Sequence, residues 1–219
     1  MDSISGRMIF DNSKKALARA FNNVPNLDIN QFKLTQSFIR LEQPMVAGNT
    51  LYTFPLLVNQ GSVFNTEQRL NLQDSFVISE IGMFVAGPTS ATDTTFKLFA
   101  YPNFLVFTAP ANVNLQTLYN GKLNISVNNN TILPAWDLQR HWVTTQVQQN
   151  AALAAAVFAD QYSGKEDGYY PCEPNIVLVG SKNYQITIQL PAGIATVIAN
   201  SRIVLNLRGI LAQNSTVVS

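Results

Sequence analysis

The sequence holds one cysteine and one histidine in 219 residues. Cys172 has no partner within the chain, so a disulfide framework is excluded. A zinc site needs three or four Cys, His or carboxylate ligands, and Cys172 and His141 alone cannot build a Cys/His site. Charge is scarce as well. There are 14 Lys and Arg against 13 Asp and Glu, 12% of the chain, for a formal net charge of +1. So little positive charge excludes nucleic-acid binding through bulk phosphate neutralisation. Long apolar runs are missing, and no helix is expected to span a membrane. Met1 to Arg7 carries an early acid and no apolar stretch of the kind a secretory signal needs, so synthesis in a cytoplasm is expected. No P-loop, nucleophile elbow or Rossmann glycine pattern is present.

What the chain does hold is apolar and amide-rich. Hydrophobic residues make up 47% of it, too many for a disordered chain. Its length is enough to bury a core without disulfides or metals. The polar complement is 23 Asn and 15 Gln. A surface of amides in place of charges offers weak repulsion between copies and suits a protein that associates.

Residues 1–30 stand apart as an arm. Asp11, Asn12 and Ser13 offer N-caps for a short helix. Leu17, Ala20 and Phe21 then share one face, with Lys14, Lys15 and Arg19 away from it. Asn22-Asn23-Val24-Pro25 stops the helix, because the residue before proline disfavours the α region. The arm is expected to cover either its own domain or a neighbour, and the neighbour is favoured because the rest of the chain reads as a complete domain. Arg7, Lys14, Lys15, Leu17, Arg19 and Phe21 are the residues assigned to it.

Residues 31–219 read as one β domain. Strands are expected around Phe32–Phe38, Leu51–Val58, Ser75–Ala86, Thr95–Tyr101, Leu123–Val127, Ile176–Val179, Tyr184–Leu190 and Ile203–Arg208. Tyr184, Ile186, Ile188 and Leu190 alternate with Gln185, Thr187 and Gln189, the cleanest period of two in the chain. Pro55 suits an edge position. Ser75–Ala86 is apolar on both faces in places and reads as deeply buried, with Gly82 marking a bulge or a close backbone approach. Eight short strands separated by Asn-, Gly- and Pro-rich loops imply an antiparallel sandwich or barrel, with a jelly roll as the leading example. One helix is expected to be inserted at about 137–160, from the stripe Val143, Val147, Ala154, Phe158 and the alanines of AALAAA.

Candidate chemistry is thin. His141 is the only base a catalytic triad could use, and it reads as a packing or hydrogen-bonding residue. Cys172 is expected in a loop beside Glu173, whose charge would raise the thiol pKa. The loop 160–173 gathers Asp160, Glu166, Asp167 and Glu173 with Tyr162, Tyr169 and Tyr170. It lacks the Asp/Asn alternation of a calcium loop, although an ion or a sugar could contact it. Trp136, Tyr162, Tyr169 and Tyr170 are candidate interface or glycan contacts, since large rigid side chains give contact area at low entropy cost. Glu80, inside an apolar strand, calls for a partner such as Arg202 or Arg208. No catalytic, cofactor-binding or metal-binding residue is assigned, and neither an enzyme nor a cofactor is expected.

The basic arm from Arg7 to Arg19, the blocks SFVISEIGMFVAG, LYNGKLNISVN, EPNIVLVG and YQITIQLP, and the closing RIVLNLRGILAQN together resemble a virion structural protein of a bacteriophage. The resemblance covers most of the chain as a style of sequence and names no specific family. It implies a capsid or capsid-associated subunit with a single jelly roll and an N-terminal arm, made in the host cytoplasm and resident in the virion. Its implied partners are copies of itself, other virion proteins, and packaged nucleic acid met through the arm. The rival expectation is a carbohydrate-binding or receptor-binding β-sandwich.

Overall fold

The computed structural model describes residues 3–22, 32–61, 64–87, 97–99, 111–141, 168–197 and 199–216. The chain is mainly β, with all named strand pairs antiparallel in two sheets. The elements in order are α1 (Ser3–Ala20), β1 (Lys33–Pro44), β2 (Leu51–Phe54), β3 (Ser75–Gly87), β4 (Lys97–Phe99), α2 (Ala111–Tyr119), β5 (Lys122–Val127) and β6 (Asn130–Asp137). A 3-10 turn (Leu138–His141), β7 (Tyr169–Val179), β8 (Tyr184–Gln189) and β9 (Arg202–Gln213) follow.

One sheet runs β1-β9-β3 and continues on the far side of β3 with β7 and the three-residue β4. The other runs β2-β8-β5-β6. Eight strands thus form two layers of four, and β4 is a ninth placed beside the end of β3. Period-two side chains explain the layering. Ile186 and Ile188 of β8, Leu123 and Ile125 of β5, Ile81 and Met83 of β3, and Leu205 and Leu207 of β9 all enter one shared core between the sheets. Alternate positions of β3 and β9 are apolar too, and those face outward. Val77, Ile210 and Ala212 form a second cluster with Leu17 of α1. Phe84, Ala86 and Val204 form a third.

Close backbone approaches fix the registers. Ser79 is an extra residue in β3, between the pairs Ile78↔Gly209 and Glu80↔Arg208. A Cβ on Gly209 would lie 1.7 Å from the Val77 carbonyl oxygen, so only glycine fits there. Asn128 and Asn129, both at positive φ, turn β5 into β6. The free edge of β1 is partly covered where Arg40 and Gln68 exchange backbone hydrogen bonds of 2.8 and 3.0 Å.

Several expectations are corrected. α1 is 18 residues long and begins at Ser3, so Asp11, Asn12 and Ser13 lie inside it and cap nothing. β7 starts at Tyr169, seven residues before the expected run, and β6 and α2 were not expected at all. Of the helix expected at about 137–160, Asp137 ends β6 and Leu138–His141 is a 3-10 turn. Residues 142–160 lie outside the described residues, as do Tyr162, Glu166 and Asp167.

Candidate functional site

Leu17 of the arm is fully buried, packed against Phe32, Val77, Ile210 and Ala212 of its own chain. Phe21 packs edge-on to Phe32 at 5.7 Å. Beside them the Ser13 and Ser79 hydroxyls meet at 3.1 Å, and Asn175 Nδ2 donates to Ser13 Oγ at 3.3 Å. Of the two surfaces expected for this apolar face, it covers its own domain here, because the outward side chains of β3 and β9 leave an apolar surface that α1 fills. Lys15 and Arg19 are exposed. With Asn12 they face Glu173, Pro174 and Asn175 across a cleft of about 460 Å³. Arg7 lies on α1. Met8 and Phe10 are exposed at 60% and 40%.

Of the four aromatics singled out in the sequence, Trp136, Tyr169 and Tyr170 are described, and these three do not form one patch. Adjacent residues of a strand point to opposite faces. Tyr169 therefore turns outward, where its ring lies over Gly82 and meets Phe84 edge-on at 5.2 Å. The Arg208 guanidinium sits 3.4 Å from the centre of that ring. Tyr170 turns the other way and meets Trp136 edge-on at 5.9 Å. Trp136 Nε1 donates to His141 Nε2 at 3.0 Å, and His141 Nδ1 donates to the Gly168 carbonyl at 2.9 Å. These two bonds set a neutral tautomer with one donor and one acceptor. Burial pulls the His141 pKa down to about 4, against the partial upward pull of the Gly168 carbonyl. The imidazole is thus a structural knot between β6 and the start of β7.

The Arg140 guanidinium lies 4.8 Å from the Trp136 ring centre and 5.1 Å from that of Tyr170. Trp136 is only 8% exposed. The guanidinium thus occupies one face of each ring, and Tyr170 stays 40% exposed.

Cys172 is buried in β7 rather than held in a loop, at an irregularity between the pairs Ile78↔Ile176 and Glu80↔Pro171. Its Sγ lies 3.8 Å from the Pro174 carbonyl oxygen. Burial pushes the thiol up to about 11, so the cause is desolvation and not the Glu173 charge. Glu80 faces Arg208 at 3.9 Å, a distant and partly exposed pair. Arg202 is committed elsewhere, to Glu42 at 2.9 Å.

Glu42 anchors a charge cluster that sequence reading missed. Arg40 Nε bonds its other oxygen at 2.7 Å, and the Thr66 hydroxyl donates to that same oxygen. Burial would raise the Glu42 pKa, but Thr66, Arg202 and Arg40 together outweigh it and hold the carboxyl below its usual range. Glu67 and Arg69, both buried, pair at 3.0 Å next to it, and Glu67 accepts the Glu42 backbone N–H at 2.9 Å. The cluster pins segment 64–70 to β1 and is structural. The bonds that join the two strands and the segment span 24 to 160 residues of sequence, so no local motif announces them.

Among the described residues, no group of three or more His, Cys, Asp or Glu is placed to hold a metal ion, and no helix is long and apolar enough to cross a membrane. Compared with known proteins, the chain matches no family model, no curated protein and no solved structure.

Proposed function

We propose that this chain is a structural subunit of a bacteriophage virion, a capsid or capsid-decorating protein that acts by self-association, and that its sandwich is a jelly roll. The observation that carries the reading is the strand order. With β4 set aside, the sheets run β1-β9-β3-β7 and β2-β8-β5-β6. Successive strands β1 and β2, then β2 and β3, fall in opposite sheets, and the last strand returns between the first and third. Two interleaved Greek keys produce that order, and the fold they define recurs in viral shell and lectin domains.

Composition supports the shell over the lectin. Little charge opposes contact between copies, and the outward residues of the four-stranded sheet are neutral amides and hydroxyls such as Asn124, Ser126, Gln185 and Thr187. Lys15 and Arg19, exposed on α1 at the rim of the cleft with Glu173, are the residues available to packaged nucleic acid or to a neighbouring virion protein. Against the rival sugar-binding reading, Trp136 is buried and Arg140 lies over one face of both Trp136 and Tyr170.

Native mass measurement and electron microscopy of the purified chain test the proposal. Symmetric assemblies of many copies are expected as protein concentration rises. A chain that stays monomeric at millimolar concentration, and does not bind preformed phage particles, would overturn it.

A further inference from the structure

We infer that the first half of β1 is a pairing edge between two copies of this chain. Leu34–Phe38 of one copy lies antiparallel to the same stretch of the other, about a two-fold axis at Gln36, so that one sheet runs through both. The inference rests on the self-association proposed above and gives that association a surface.

The backbone of this stretch faces outward. β1 pairs on one side with β9. On its other side segment 64–70 reaches only the second half of the strand. Arg40 exchanges backbone hydrogen bonds with Gln68, and the Glu42 N–H donates to Glu67 Oε1. Backbone groups alternate in direction along a strand, and the register of β1 on β9 is unbroken. The N–H and C=O of Leu34, Gln36 and Phe38 therefore point the same way as those of Arg40, away from β9. Among the described residues, none pairs with them. The side chains stand in water as well, with Gln36 exposed and Phe38 exposed at 47%.

The residues select a second copy. Leu34-Thr35-Gln36-Ser37-Phe38 holds no charge and no proline, the usual guards of an open edge. Other edge strands carry such guards. Pro55 follows β2, Pro134 interrupts β6, and Pro171 and Pro174 interrupt β7. The register is set from both ends. β1 begins at Lys33, and Gln68 takes the place beside Arg40, so the open window is 33–39 and its centre is Gln36. Self-pairing about that centre sets Leu34 of one copy against Phe38 of the other, and Gln36 against Gln36. Each pair exchanges both its backbone hydrogen bonds. Leu34 packs at the margin of the apolar cluster under α1. Phe38 of the other copy extends that cluster and leaves water, which explains why so large an apolar side chain is exposed in the single chain. At the axis amide meets amide, where a charge would meet its like.

Sedimentation velocity and mild oxidation of the full chain test the pairing. The two Gln36 Cα atoms are about 5.5 Å apart in such a ladder, within disulfide reach. Gln36→Cys should therefore form covalent dimers, while Lys182→Cys in the turn before β8 should not. The chain's own Cys172 is buried and does not compete. Gln36→Pro deletes an outward N–H that β9 does not use, and Gln36→Lys puts like charges at the axis. Each should weaken dimerisation by about tenfold or more at an unchanged unfolding midpoint of the monomer. Should Gln36→Pro destabilise the monomer, Gln36→Lys decides alone. Assemblies that form without the Gln36→Cys cross-link, or that survive Gln36→Lys, overturn the inference and leave the virion reading standing. A chain that never associates overturns both.

Discussion

The two sheets of this sandwich differ most on their backs. Behind the five-stranded sheet, Val77, Ile210 and Ala212 are apolar and lie under α1. Behind the four-stranded sheet, Gln185, Thr187, Gln189, Asn124 and Ser126 are polar and no helix packs on them among the described residues. The edges do not follow this division. Segment 64–70 covers part of the β1 edge, whereas β7 and β4 on one sheet and β2 and β6 on the other have no further strand beside them among the described residues. The first sheet is covered on its back by α1. The second is left polar on its back, and on the proposed reading that is the face where copies would meet with the least obstruction.

The strongest way to break this contrast is at the bulge of the covered sheet. Gly209→Ala should cost more than about 4 kcal/mol, because its Cβ must displace the Val77 carbonyl that β3 and β9 share, and refolding yield or the denaturation midpoint reads it. Leu17→Ala, on the helix over the same sheet, should cost about 3 kcal/mol as transfer and cavity terms add. A Leu17→Ala protein of unchanged stability would mean that α1 does not seal the sheet.

The knot joining the two sheets predicts a pH dependence. His141 is neutral when folded, with its pKa lowered from 6.5 to about 4. Between those values the unfolded chain binds the extra proton, so stability rises with pH across this window and is lost as pH falls through it. The loss reaches at most about 3 kcal/mol and levels off below the folded pKa. Unfolding of His141→Gln should lack that slope, while the acid limb set by Glu42 persists at lower pH. Smallest of all, Thr187→Ala on the open back should change monomer stability by less than about 0.5 kcal/mol. A larger effect would show that this face is packed rather than wet.

How much of this was legible in the sequence follows from where the information resides. β3, β5, β8 and β9 announce themselves because alternation is local. The start of β7 does not, since Pro171, Cys172 and Pro174 interrupt its pattern, and Pro174 follows a cis peptide bond. β6 hides behind Asn130 and Pro134, residues that read as loop. The destination of Leu17 depends on side chains 60 and 193 residues later in the chain, Val77 and Ile210, and periodicity carries no such address. The same limit applies to site residues. His141 and Cys172 read as packing residues, and both are buried, His141 between the Trp136 indole and the Gly168 carbonyl. Opposite faces of one strand separated Tyr169 from Tyr170, although adjacency in sequence had grouped them.

The pairing of β1 with β9 also sets a timetable. Lys33 lies opposite Gln213, and β9 separates β1 from β3 throughout. During synthesis the first and third strands therefore wait, without their shared neighbour, until Arg202–Gln213 has left the ribosome. Contacts so distant in sequence are slow to form. An abundant nascent chain would in that interval carry its apolar strands uncovered, the state in which chaperones bind and aggregation begins. The same delay means that a fragment ending before Arg202 cannot close the five-stranded sheet, so an unfinished chain has no completed subunit to contribute to an assembly.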